Sequence, residues 1–214
     1  MTAKEYENHI GCLLDVFFAR TRENAAIRVR KGLKYRSETG YRNYSPIIDI
    51  SVGPFSEERG VSLWESYDNL VSFSGNLIDV MLAAFRHNYQ EFGEGYFTIE
   101  ERTLPNNHHE FLTSSRSIRG SSNWNARCFI AIEVEDSGSR KHLLGDMINV
   151  SISGRIGIVV GYNPDLYETF FKQLDYLSYT VRAKKIQFNS RNIIVLKPKQ
   201  LEDILIYNLP EADT

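Results

Sequence analysis

The segment 127–160 reads RCFIAIEVEDSGSRKHLLGDMINVSISGRIGIVV and decides the fold class. The run 128–135 reads as a strand, and the run 155–162 reads as a second strand. Between them, residues from about 139 to 151 carry a helical pattern with Ser137 or Ser139 as the N-cap. Strand, helix and strand in this order form a βαβ unit, whose strands belong to one sheet with the helix on its face.

Working outward from this unit, periodicity and turn residues predict the other elements. In chain order they are a helix through Tyr6, Ile10 and Leu14, strands within 25–37 and 43–52 joined around Glu38–Gly40, a long helix at 62–92, a helix opened by Asn163, a strand at 192–198 and a short helix at 199–209. The prediction is an α/β fold with a mixed central sheet flanked by helices. Residues 1–214 form one domain, with 56–127 as a mainly helical and loop insertion between the second and third core strands.

The composition fits one globular domain, because the 214 residues are 42% hydrophobic and 12% aromatic. The apolar runs are far shorter than the roughly 20 residues that a membrane helix needs, and the first residues lack the layout of a signal peptide. We therefore expect a cytoplasmic protein without membrane contact. The net charge of -2 makes no general case for nucleic acid. Cys12 and Cys128 lie among apolar neighbours and are expected to be buried, reduced thiols.

Two carboxylates interrupt the apolar strand at 128–135. Residues of equal parity share a face of a strand, so Glu133 and Glu135 point to the same side at its carboxyl end. Two half-buried acids repel each other and are costly to desolvate unless a cation or a proton compensates. A hard divalent cation would compensate the negative charge of both carboxylates.

The helix after this strand begins with Arg140, Lys141 and His142, where the helix dipole disfavours positive charge. Lys141 lies three and seven residues before Leu144 and Ile148, which predicts that it faces the sheet and reaches the acids. The alternative is a purely structural salt-bridge set that neutralises Glu135 and Asp136.

A third acid, Asp49, lies in the apolar strand SPIIDIS, and strand interiors are depleted in aspartate. Taken alone, Asp49 is explained by capping of the turn at 52–55. Taken with the other acids, it completes a familiar order of elements.

The chain carries, in order, a helix bearing an acid, a strand with P-x-x-D at Pro46 to Asp49, a strand with E-x-E at Glu133 to Glu135 and a helix with an inward lysine. This order resembles the PD-(D/E)xK nuclease superfamily. The resemblance covers roughly residues 5 to 200, and segment 127–160 is similar to bacterial and phage-borne members with an E-x-E motif. It implies the restriction-endonuclease-like αβββαβ core.

The resemblance also implies Mg²⁺-dependent (or Mn²⁺-dependent) cleavage of phosphodiester bonds in DNA or RNA. Asp49 and Glu133 would be metal ligands with the Val134 carbonyl as a third, and Glu7 matches an acid that some members carry on the first helix. Glu135 would ligate a second ion or accept a proton from the attacking water.

This chain departs from the family at position 135, where glutamate replaces the usual lysine. Some members use glutamate there and others carry the lysine on the following helix, which Lys141 matches. Lys141 would then offset negative charge in the transition state, and Arg140 and His142 would contact the substrate.

A second hypothesis follows from the missing lysine: a nuclease-fold module that has lost cleavage and binds nucleic acid or another protein. The expected partners are nucleic acid, with DNA ahead of RNA, and a second copy of the chain in a homodimer. Restriction, phage defence, repair and recombination all remain open as settings.

Overall fold

The computed structural model describes residues 1–19, 27–34, 46–55, 63–96, 115, 118, 123, 126–184 and 190–209. Six helices and five strands lie within these ranges. In chain order they are α1 (Ala3–Phe18), β1 (Val29–Lys34), β2 (Ile47–Val52), α2 (Leu63–Phe73), α3 (Gly75–Tyr96), β3 (Cys128–Glu135), α4 (Arg140–Ser153), β4 (Gly154–Gly161), α5 (Pro164–Arg182), β5 (Ile193–Leu196) and α6 (Pro198–Asn208). None of these helices combines the length and the apolar character that crossing a membrane requires.

The five strands form one mixed sheet in the order β1-β2-β3-β4-β5. The pairs β1–β2 and β2–β3 are antiparallel, whereas β3–β4 and β4–β5 are parallel. The α/β class, the βαβ unit and the antiparallel pairing of the first two strands are therefore confirmed. The turn predicted at 38–40 lies outside the described residues.

Helix α1 begins with a capping box, in which Thr2 accepts from the Glu5 amide and Glu5 accepts from the Thr2 amide. Its buried stripe includes Tyr6, Ile10 and Leu14, and the helix packs on β1, β2, β3 and α6. Cys12 lies off this stripe and is exposed, so its predicted burial was wrong, whereas Cys128 is buried in β3.

The predicted helix at 62–92 is two helices, α2 and α3, that meet at Ser74. The Ser74 hydroxyl donates to the Leu70 carbonyl at 2.6 Å, which gives the last turn of α2 a side-chain partner. Helix α3 packs against β5, α5 and α6, and its Phe85 stacks on Phe171 with ring centroids 6.2 Å apart. The helices of segment 56–127 thus share the hydrophobic core of the sheet.

Helix α4 begins at Ser139, whose hydroxyl accepts from the His142 amide at 3.4 Å, and α5 begins at Asn163, whose side chain accepts from the Leu166 amide at 2.9 Å. Between them, Gly161 ends β4 close to the next helix. A Cβ at Gly161 would stand 2.6 Å from the Tyr167 amide nitrogen, so glycine permits the approach of α5.

Arg155 is a fully buried cation in β4, and its Nη2 donates to Asp68 of α2 at 3.2 Å. Its Nη1 donates to the Asn123 carbonyl at 3.2 Å. A buried guanidinium needs such partners, because an unpaired charge in the core is strongly unfavourable. The pair therefore ties α2 to the centre of the sheet.

Candidate metal centre

Strand pairing brings Asp49 and Glu133 together. The antiparallel register pairs Ile50 with Ile132, and continuing it by one residue places Asp49 opposite Glu133. Asp49 Oδ2 accepts a hydrogen bond from the Val134 amide at 3.0 Å, across 85 positions of the chain. The Asp49 and Glu133 carboxyl groups lie within hydrogen-bonding reach of each other.

Glu133 is only 4% exposed. Burial raises the pKa of Glu133 to about 10, and the charge and side-chain hydrogen bond of Asp49 add to the increase. The protein therefore holds a proton at Glu133 at neutral pH unless a cation compensates. The contact found for Val134 is through its amide, and the ligand role of its carbonyl stays a prediction.

A second group of side chains lies at the end of β3 and the start of α4. His142 Nδ1 is 3.6 Å from Glu135 Oε2 and 3.3 Å from Asp146 Oδ2. Burial raises the pKa of Glu135 to about 8, and the neighbouring Asp146 charge adds to the increase. Burial likewise raises the pKa of Asp146, against an opposing effect of His142. One ligand atom from each of the three residues falls within 4.8 Å of the others.

Asp146 is the site residue that the sequence analysis missed. The available signal was its position four residues after His142, which places both on one face of a helix, and its location between the apolar residues Leu143 and Met147. An aspartate among the buried residues of a helix is as unusual as Asp49 in its strand.

Glu7 approaches the cluster from α1, where it is 7% exposed. Burial raises the pKa of Glu7, the ion pair with Lys4 opposes this, and the Asp49 charge adds to it. The hydrogen bond to Glu7 raises the pKa of Lys4, and the Asp49 charge adds a smaller increase. Glu7 therefore joins the acids predicted from β2 and β3, and Lys4 brings a cation that the sequence did not single out.

The orientation predicted for Lys141 was wrong, because Lys141 is exposed and the buried face of α4 is formed by Leu143, Met147 and Val150. At 100° per residue, Lys141 lies about 200° from Leu143 around the helix axis. Arg140 is exposed, as expected for the outer side of the turn. The basic side chain of this helix that contacts the acids is His142.

The residues fit a divalent cation on two grounds. Four acids, Asp49, Glu133, Glu135 and Asp146, act on one another electrostatically at the same end of the sheet. Asp146 Oδ2 is buried and accepts no hydrogen bond within the described part of the chain. Carboxylate oxygens of this kind are the ligands that Mg²⁺ and Mn²⁺ prefer.

Comparisons of the chain with known protein families, with curated proteins and with solved structures gave no significant match.

Proposed function

We propose that this protein is a metal-dependent nuclease of the restriction-endonuclease-like fold, which hydrolyses phosphodiester bonds of DNA with Mg²⁺ or Mn²⁺. The observation that carries the proposal is the meeting of Asp49 with Glu133 at adjacent positions of β2 and β3. Neither strand needs an acid for its own stability. With α2 and α3 set aside as part of the segment 56–127, the remaining order α1-β1-β2-β3-α4-β4 agrees with the αβββαβ core that the resemblance implies.

Asp49 and Glu133 would hold the ion, with the Val134 carbonyl as a further ligand and Glu7 at the edge of the site. When bound, the ion supplies a Lewis acid for the scissile phosphate and lowers the pKa of water. Because the Val134 amide holds Asp49 Oδ2, this carboxylate is oriented before any ion arrives.

Glu135 is suited to proton transfer because burial and Asp146 raise its pKa to about 8. A general base is most effective with a pKa near the working pH, so Glu135 can take the proton that an attacking water loses. The same residue can instead serve as a ligand for a second ion.

The cation that stabilises the developing negative charge has three candidates in the described residues. The first is Lys4, which contacts Glu7 and interacts electrostatically with Asp49. The second is His142, which contacts Glu135 and Asp146. The third is Lys141, which is exposed at the start of α4. Arg140 and His142 stand exposed at this edge, where they can contact the phosphates of the substrate.

The test is cleavage of supercoiled plasmid, linear duplex, single-stranded DNA and RNA by the purified protein in EDTA, Mg²⁺ or Mn²⁺. Asp49→Ala and Glu133→Ala should stay folded and lose divalent-dependent cleavage, because removing one acid relieves repulsion while it removes a ligand. Glu168→Ala, at an exposed position of α5, is the matched control and should cleave like the parent protein.

Absence of cleavage on all four substrates would replace this proposal with the second candidate, a binding module that has lost cleavage. Two observations favour that candidate: Glu135 stands where the family usually has lysine, and Lys141 is exposed. Cleavage that persists in both alanine variants would place the activity outside the Asp49–Glu133 pair.

A further inference from the structure

His142, Asp146 and Glu135 meet where the end of β3 leads into the start of α4. His142 and Asp146 are one helical turn apart on α4, and Glu135 ends β3. His142 Nδ1 faces both carboxylates, at 3.3 Å from Asp146 Oδ2 and 3.6 Å from Glu135 Oε2. One imidazole nitrogen carries at most one proton, so it cannot donate a full hydrogen bond to both oxygens.

Two further observations point to a ligand between these groups. The Asp146 side chain is only 10% exposed, and although its carboxyl group shares a hydrogen bond with Glu135, its Oδ2 has no hydrogen-bond donor in good geometry among the described residues, the nearest nitrogen being His142 Nδ1 at 3.3 Å. Buried carboxylate oxygens are rarely left without a donor or a metal.

The second observation is the glycine in the β3–α4 turn. Gly138 has φ 153°, and a Cβ there would lie 3.2 Å from His142 Nδ1 and 3.7 Å from Glu135 Oε2. Glycine thus leaves open the space beside two of the three ligand atoms.

We propose that Glu135, His142 and Asp146 form a second cation site that prefers a first-row transition metal, Zn²⁺ or Mn²⁺, over Mg²⁺. Imidazole nitrogen suits Zn²⁺ and other transition metals, whereas Mg²⁺ favours sites made of oxygen ligands and water. The site rests on the geometry of these three residues and stands whether or not the protein cleaves nucleic acid.

The competing explanation is an ion pair between a protonated His142 and the two acids. The two explanations differ in the sign of one effect. If His142 is a ligand, removing it weakens metal binding. If His142 is only a counter-ion, removing it unmasks two carboxylates and strengthens the binding of any divalent cation.

The experiment measures binding of Zn²⁺, Mn²⁺ and Mg²⁺ to the EDTA-treated, desalted full chain by calorimetry and thermal shift, without nucleic acid. We expect Zn²⁺ and Mn²⁺ to raise the melting temperature at concentrations where Mg²⁺ does not. His142→Ala should weaken Zn²⁺ and Mn²⁺ binding at least about tenfold and change Mg²⁺ binding by less than about twofold.

The chain offers a matched control in His87→Ala. His87 Nε2 is 3.4 Å from Glu91 Oε1 on α3, so it has the same one-turn spacing from an acid as His142 has from Asp146. His87→Ala should leave Zn²⁺ binding unchanged. A Co²⁺ complex of the parent protein should show visible ligand-field bands that His142→Ala and Asp146→Asn lose.

Metal binding that is unchanged or tighter in His142→Ala would overturn the proposal, and so would equal affinity for Mg²⁺ and Zn²⁺. The nuclease proposal is contradicted by a different result, the absence of cleavage. A protein that binds Zn²⁺ through His142 but cleaves no substrate keeps the second site and loses the nuclease function.

Discussion

Replacing Glu133 by glutamine should remove part of the pH dependence of the free energy of unfolding of the metal-free protein. Burial and Asp49 raise the pKa of Glu133 from its ordinary value of 4.5 to about 10 in the folded state. Between these values the folded protein holds a proton that the unfolded chain has released. The contribution of Glu133 to the free energy of unfolding is therefore greatest below about pH 4.5, and it is lost as the pH rises toward 10.

The magnitude follows from the linkage between proton binding and folding. One proton bound only by the folded state lowers the free energy of unfolding by about 1.4 kcal/mol for each unit of increasing pH. Over about three units, from pH 5.5 to 8.5, Glu133 accounts for a decrease of up to about 4 kcal/mol. The buried position of Glu133, 4% exposed, limits screening by solvent.

The assay is urea unfolding in EDTA at several pH values across this range, with the linear extrapolation giving the free energy of unfolding at each pH. Because glutamine carries no titrating proton, the free energy of unfolding of the Glu133→Gln protein should depend less on pH. Relative to the parent protein, the variant should therefore become more stable as the pH rises. Glu135 and Asp146 titrate in the same direction and remain in both proteins. The difference between the two profiles therefore reports Glu133 together with its coupling to Asp49 and Asp146.

Glu168→Gln is the matched control, because Glu168 is 61% exposed and should leave the profile parallel to that of the parent protein. Saturating Mg²⁺ should also flatten the profile of the parent protein if the ion binds the ionised carboxylates. Parallel profiles for Glu133→Gln and the parent protein in EDTA would refute the reasoning, since they would mean that Glu133 ionises alike in the folded and unfolded states.

Three other perturbations test separate parts of the structure. In the proposed nuclease, His142→Ala should depress Mg²⁺-dependent cleavage more than Lys141→Ala does, because His142 contacts the acids and Lys141 is exposed; comparison of kcat for the two variants decides this. Arg155→Ala should lower the free energy of unfolding by about 3 kcal/mol or more in urea titration, since it removes a fully buried guanidinium and leaves Asp68 without that partner. Gly161→Ala should lower the melting temperature markedly, because its Cβ would overlap the backbone of α5, and an unchanged melting temperature would contradict this close approach.

The apolar run at 128–135 predicted the strand that carries Glu133 and Glu135. Because an acid in a buried strand is costly without a compensating partner, the same two residues indicated a site. Parity along that strand, a local property that the sequence displays directly, predicted both acids on one side. The meeting of Asp49 with Glu133 is a long-range contact, and it was expected only because the resemblance to the nuclease superfamily implies a shared metal ion.

The orientation of α4 could not be obtained in the same way. Apolar residues occur on several sides of this helix, so the stripe Leu144 and Ile148 is as plausible as the stripe Leu143 and Met147. Choosing the first stripe turned Lys141 toward the sheet and left Asp146 unnoticed. The contacts with β3 and β4 select the second stripe, and these are tertiary contacts.

The break between α2 and α3 illustrates a different limit. Gly75 weakened the helical pattern, but glycine alone does not end a helix. A Cβ at Gly75 would lie 3.4 Å from the Ser115 hydroxyl, a residue 40 positions further along the chain. Ser115 therefore packs closely on the start of α3, and this contact is not visible in the local sequence.

The long chain separation between β2 and β3 has a consequence for how the protein folds. The contact between Asp49 and the Val134 amide joins residues 85 positions apart, so it forms only after a long loop has closed. Local helices and the pairing of β1 with β2 can form before this step without bringing Asp49 near Glu133. Repulsion between Asp49 and Glu133 is therefore met only when β2 pairs with β3, whereas Glu135 and Asp146, 11 positions apart, can meet as soon as β3 and α4 form.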